Sequence, residues 1–82
     1  MPVSERIKTV AVRMLVKRGN NAVPAPQTNL RDAGLTSLDM VGLMLGIEDA
    51  FGIEIPQRRM TPANFRSIAA IEQLVSGLAL AA

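Results

Sequence analysis

The stretch from Thr36 to Phe51, Thr-Ser-Leu-Asp-Met-Val-Gly-Leu-Met-Leu-Gly-Ile-Glu-Asp-Ala-Phe, constrains the fold more than any other part of the chain. Projected at about 100° per residue, Met40, Leu43, Met44, Ile47 and Phe51 fall within an arc of about 100°, the buried stripe of an amphipathic helix. Thr36 and Asp39 have the spacing of a capping box, which starts the helix with Ser37 in its first turn. Leu38, Val41 and Leu45 lie outside that stripe. They form a second apolar seam centred about 140° away, with Glu48 and Asp49 interleaved and Gly42 and Gly46 beside it. Such a seam either docks a partner or packs against another helix of the same domain, and the pattern alone leaves both open.

Two more segments carry the helical period. Val3, Ile7, Val10, Ala11 and Met14 recur at three- and four-residue steps, which predicts a first helix fraying near Gly19. Its opposite side gathers Arg6, Arg13 and Lys17 within an arc of about 40°, read as a solvated face, with a phosphate- or carboxylate-binding surface as the alternative. Near the other end Ser67 can cap a helix whose buried face is Ile68, Ile71, Leu74, Val75 and Leu78. Between Gly19 and Gly34 lie Asn20, Asn21, Pro24, Pro26, Asn29 and Asp32, which favour turns. A loop this long is uncommon in a compact domain unless something holds it, and Val23, Leu30 and Leu35 are the candidates. Gly52 to Pro56 is extended in character, because Pro56 disfavours helix at Ile55. Thr61-Pro62 places a cap before a proline at the first helical position and predicts a short helix. The expected architecture is all-α, a four-helix bundle in one domain spanning 1–82, with helices at about 4–18, 37–51, 61–65 and 67–79.

Composition narrows the chemistry. The 82 residues include no Cys and no His, which removes thiolate nucleophiles, thiolate metal sites and the usual neutral-pH base. A domain this small buries a limited core, so a deep catalytic cleft is not expected. With aromatic residues at 2% and no Trp or Tyr, the core must come from Leu, Ile, Val, Met and Ala. The net charge of +2 raises nucleic acid as a partner. The basic residues are spread along the chain without aromatic stacking groups, which argues against it. The N-terminus lacks the apolar core of a secretory signal and no segment reaches bilayer length, so the expected location is cytoplasmic and the expected state a monomer.

The series Gly34-Leu35-Thr36-Ser37-Leu38, then Glu48-Asp49-Ala50-Phe51, Ile53-Glu54-Ile55-Pro56 and Ser67-Ile68-Ala69-Ala70-Ile71 resembles the acyl carrier and peptidyl carrier protein family from about Ser4 to Leu78. The first of these looks like the family's Gly-x-Asp-Ser-Leu attachment motif. The resemblance implies a phosphopantetheine arm, moved from coenzyme A onto the hydroxyl of Ser37 by a phosphopantetheinyl transferase. It also implies an acyl or aminoacyl cargo held as a thioester on the arm's thiol, a loading ligase or acyltransferase, and downstream acyl-transferring enzymes. By the same analogy Leu38, Val41 and Leu45 meet these enzymes, Glu48 and Asp49 pair with basic groups on them, and Ile55 brushes the arm. Without the resemblance, Ser37 is an ordinary exposed residue of a capped helix start. Met40, Met44 and Met60 either fill gaps in the core or let it adapt around a cargo.

The sequence departs from the family in two places. Thr36 stands where Asp usually precedes the serine, keeping a cap but not a charge beside the hydroxyl. Gln57, Arg58 and Arg59 stand where acidic residues often follow the Ile-Pro step, which suggests a specialised carrier rather than the general one of fatty-acid synthesis. The tail Asn64-Phe65-Arg66-Ser67-Ile68 resembles carriers loaded with amino acids by dedicated ligases. The competing expectation is an unmodified helical interaction module with the carrier fold.

Overall fold

The computed structural model describes residues 3–81. They form three α-helices, α1 (Val3–Lys17), α2 (Ser37–Phe51) and α3 (Ile68–Ala81), with two short 3-10 turns, Gln57–Arg59 and Pro62–Phe65, between α2 and α3. The all-α expectation holds, and α2 has the expected bounds. The expected short helix at 61–65 is present as the one-turn 3-10 helix Pro62–Phe65. Thr61 caps it with its hydroxyl, Pro62 opens it, and an Asn64 N–H bond to the Thr61 carbonyl at 3.1 Å closes it. Few residues remain before Ser67 begins α3, and i→i+3 bonding completes a turn in fewer residues than an α-helix needs. The turn at Gln57–Arg59 was not expected. Pro56, at φ −56°, presets it, and its carbonyl accepts from Arg59 at 2.8 Å.

The long loop begins at a hydrogen-bonded stop rather than frayed coil. At the end of α1, Gly19 takes φ +81°, while its N–H bonds the Val16 carbonyl at 2.9 Å and the Asn20 N–H bonds the Leu15 carbonyl at 2.9 Å. This paired arrangement needs a left-handed residue, which glycine supplies without strain. α2 ends in the same way at Gly52, φ +61°. Within the loop, the Asn20 amide donates to the Ala33 carbonyl at 2.7 Å, and Leu30 N–H and Ala69 N–H bond the Arg66 and Pro26 carbonyls at 2.8 and 2.9 Å. Leu30 and Leu35 are buried as expected; Val23 is exposed, and the neighbouring Pro24 is buried in its place.

The core joins Ile7, Ala11 and Leu15 of α1 to Met40, Leu43 and Ile47 of α2 and Ile68, Ile71, Leu74 and Val75 of α3, with Phe65 fully enclosed. α1 packs against both α2 and α3, and the Pro62–Phe65 turn packs against α2 and α3. Leu15 was not in the expected α1 stripe, whereas Val3, which was, is 37% exposed. Gly42 and Gly46, expected to thin the apolar seam, face α1 instead. A Cβ at Gly46 would lie 3.0 Å from Val10 Cγ1, and one at Gly42 would lie 3.1 Å from Met14 Cε. The small residues therefore allow close helix packing. Arg6, read as part of a solvated face, sits 4.4 Å from the Phe51 ring centroid and donates to the Ala50 carbonyl, which ties α1 to the end of α2.

Candidate functional site

The start of α2 is held from two directions. Thr36, in extended geometry at φ −82° and ψ 172°, accepts the Asp39 N–H at 3.1 Å through its hydroxyl. Asp39 returns the bond by accepting the Thr36 N–H at 2.9 Å, completing the expected capping box. Arg18, just past α1, then grips the same carboxylate with two bonds of 2.7 Å from Nε and Nη2. Arg18 lies 21 positions from Asp39, and no local pattern announces the pairing. The fork of a guanidinium matches a carboxylate bidentately, so the clamp fixes the direction of the first turn.

The Arg18 bonds, followed by the Thr36 backbone bond, hold the Asp39 carboxyl well below its ordinary value of 3.8. A carboxyl whose folded-state pKa is depressed contributes its stability fully above the unfolded value and loses it as pH falls towards the folded one. The stability difference between wild type and Asp39→Asn is therefore expected to stay constant from pH 7 to 5 and to shrink below about pH 4. Thermal melts of both proteins followed by circular dichroism across that range test this; a difference that is flat down to pH 2 would remove the clamp's role.

Ser37, the first residue of α2, is exposed. It opens onto a cleft of about 510 Å³ lined by Met40, Val41, Met44, Met60, Arg31 and Arg66, among others. Sequence reasoning singled out the methionines but missed both arginines, which come from the long loop and the end of the second 3-10 turn. Beside the cleft runs the second stripe of α2. Leu38, Val41 and Leu45 are 77%, 50% and 58% exposed, so among the described residues no helix packs over this stripe. Asp49 is exposed on the same helix.

Two residues expected on this face are engaged elsewhere. Ile55 is 3% exposed and belongs to the core. Its N–H donates to the Glu48 carboxylate at 2.7 Å. That bond anchors the extended segment against α2, with the Ile55 side chain in the core. Glu48 is correspondingly half-buried and spends one carboxylate oxygen within the domain rather than keeping both for a partner.

A family model described as "Phosphopantetheine attachment site" matches residues 8–75. The chain belongs to the phosphopantetheine-attachment family. This family member is 44% identical over 73 residues to aminoacyl carrier protein 1 of Bradyrhizobium diazoefficiens, covering 89% of this chain and 81% of that protein. It is 44% identical over 66 residues to the aminoacyl carrier protein of Agrobacterium fabrum, covering 76% of this chain and 80% of that one. Its fold is similar, with a TM-score of 0.79 and 43% identity, to a chain in the crystal structure of Bradyrhizobium japonicum glycine:[carrier protein] ligase complexed with cognate carrier protein and an analogue of glycyl adenylate. That match covers 90% of this chain and 95% of the other.

The residues at the head of α2 fit the family's covalent group. Ser37 is exposed, and the adjacent Thr36 hydroxyl is occupied as the cap. The first turn of a helix favours an anion, by about 0.3–1 kcal/mol at a surface. The neighbouring cleft is mostly apolar, with Asn29 and two cationic side chains also on its lining.

Proposed function

We propose that this chain is an aminoacyl carrier protein whose phosphopantetheine is attached at Ser37, and that it is a substrate of its partner enzymes rather than a catalyst. The observation that carries the reading is an exposed serine at a rigidly capped helix start, beside an exposed apolar stripe, in a chain of this family. The bound group supplies a terminal thiol, which a chain without Cys otherwise lacks, and the aminoacyl cargo rides on it as a thioester. The similarity to carriers named for aminoacyl groups, and to a chain crystallised with a glycine:[carrier protein] ligase, favours an amino acid over a fatty acyl cargo.

The partners in this reading are a phosphopantetheinyl transferase, a loading ligase and an acceptor enzyme. They meet Leu38, Val41 and Leu45, with Asp49 on the rim, where charges set encounter rate and orientation more than tightness. One domain spans 1–82; the Cα radius of gyration of 11.7 Å matches the value of about 12 Å for a compact chain of this length. Pro62–Phe65 serves as the short fourth helix of the bundle. The site of action is the cytoplasm, and the working form is the monomer.

The mass of the protein isolated from its own host tests the cargo: an arm bearing an aminoacyl group is expected, and a fatty acyl group would refute the aminoacyl assignment. The docking stripe is tested separately by Leu38→Glu. Burying a leucine contributes about 1.5–3 kcal/mol, so loading of the arm-bearing variant by the Bradyrhizobium japonicum ligase should fall about 10- to 100-fold in kcat/KM. Its helicity should be unchanged, because Leu38 is 77% exposed. Equal loading of variant and wild type would take the stripe out of the interface.

A further inference from the structure

Arg31 and Arg66 lie 35 positions apart in sequence, yet both line the cleft that Ser37 opens onto. Two backbone devices bring them there. The Asn29 side chain accepts the Arg31 and Asp32 N–H groups at 2.9 and 3.2 Å, which turns the loop at that point. The Leu30 N–H bond to the Arg66 carbonyl at 2.8 Å then pins this turn to the residue between the second 3-10 turn and α3. Leu30, fully buried, anchors the junction. Among the described residues the ion pairs are Lys8–Glu5 and Arg18–Asp39, so neither cleft guanidinium is matched with a carboxylate. Two uncommitted cations on a mostly apolar cleft, lined also by Asn29 and Ser37, suit an anionic group attached to a weakly polar chain. Guanidinium suits a phosphate diester well, since its planar fork donates two parallel hydrogen bonds to two phosphate oxygens.

We propose that Arg31 and Arg66 bind the phosphodiester formed on Ser37, so that the arm rests along the cleft lined by Met40, Met44 and Met60 until a partner draws it out. The inference rests on the attachment of phosphopantetheine at Ser37. It adds positioning residues and a resting site for the arm. Met thioethers suit such a site because they pack against irregular, weakly polar chains without demanding one shape. The contacts are at the surface, so salt loosens them, as it does other interactions between exposed charges.

The experiment uses protein modified by a broad-range transferase with coenzyme A carrying ¹⁵N in its pantetheine amides. Mass spectrometry first establishes the modification. Absence of the mass gain would remove the attachment reading, and this proposal with it. With the arm in place, its amides in wild type should show order parameters above the flexible limit of about 0.6, and in Arg31→Gln/Arg66→Gln they should fall below it. The double variant should also shift and narrow the phosphorus resonance, and raising the salt should move wild type towards it. Arg13→Gln removes a single guanidinium charge on the opposite flank of α2, where Arg13 lines a groove with Gly42 and Gly46, and should leave the arm unchanged. The proposal fails if the double variant and wild type have equally mobile arms, or if Arg13→Gln loosens the arm as much. A role of the two arginines in docking the ligase alone would raise KM for loading but leave arm order untouched, and that result also overturns it. Both residues are exposed, so the Gln variants should fold normally, which circular dichroism checks.

Discussion

Ser37→Ala should gain no mass when incubated with coenzyme A, magnesium and a broad-range phosphopantetheinyl transferase, whereas wild type gains one phosphopantetheine per chain. The effect is expected to be complete because nearby hydroxyls cannot substitute. Thr36 is adjacent, but its oxygen is occupied by the Asp39 N–H at 3.1 Å. Ser67 is 4% exposed, with its oxygen accepting the Ala70 N–H. Ser37 makes no contribution to the capping box, so its removal should change stability by no more than about 0.5 kcal/mol. Loss of modification with an unchanged melting curve separates a missing acceptor from a damaged fold. A Ser37→Ala protein that still gained the arm would move the attachment to another residue and end the assignment of Ser37.

Phe65→Ala is expected to produce the largest loss of stability of any single truncation in the molecule. The ring is fully buried and belongs to a turn that packs against α2 and α3 at once. Truncating a buried Phe costs about 3–5 kcal/mol, the transfer free energy plus the cavity left behind. A domain of 82 residues has a total stability of about 4–12 kcal/mol. The substitution should therefore remove about a quarter or more of it, and urea denaturation with unchanged slope would measure the loss. The damage should also reach the site, because Pro62, Ala63 and Arg66, which flank Phe65, line the cleft beside Ser37. A loss below about 1 kcal/mol would mean that the turn is not a structural wall of that cleft.

Most of the site's local frame was legible in the sequence. The capping box at Thr36 and Asp39, the position of Ser37 at the head of α2 and the end of that helix at Gly52 all match expectation. Each depends on hydrogen bonds reaching at most five residues along the chain, so neighbouring residue types suffice to specify it. Phe65 shows where this stops. It sits in a four-residue turn, too short for an apolar period to reveal which side is buried. Ile55 is a related case: an extended segment alternates sides, so its burial is not legible from neighbouring residues.

By itself the sequence determined the three long helices, the caps at Thr36 and Ser67 and the serine that heads the second helix, because those features are decided by residues within a turn or two of each other. The tertiary structure alone decided which stripe of α2 stays uncovered, that Gly42 and Gly46 face α1, that Arg18 clamps Asp39, and that Arg31 and Arg66 meet on one cleft. These depend on which elements pack together across 20 or more positions, and the sum of packing contacts that selects one arrangement is not written in any local pattern.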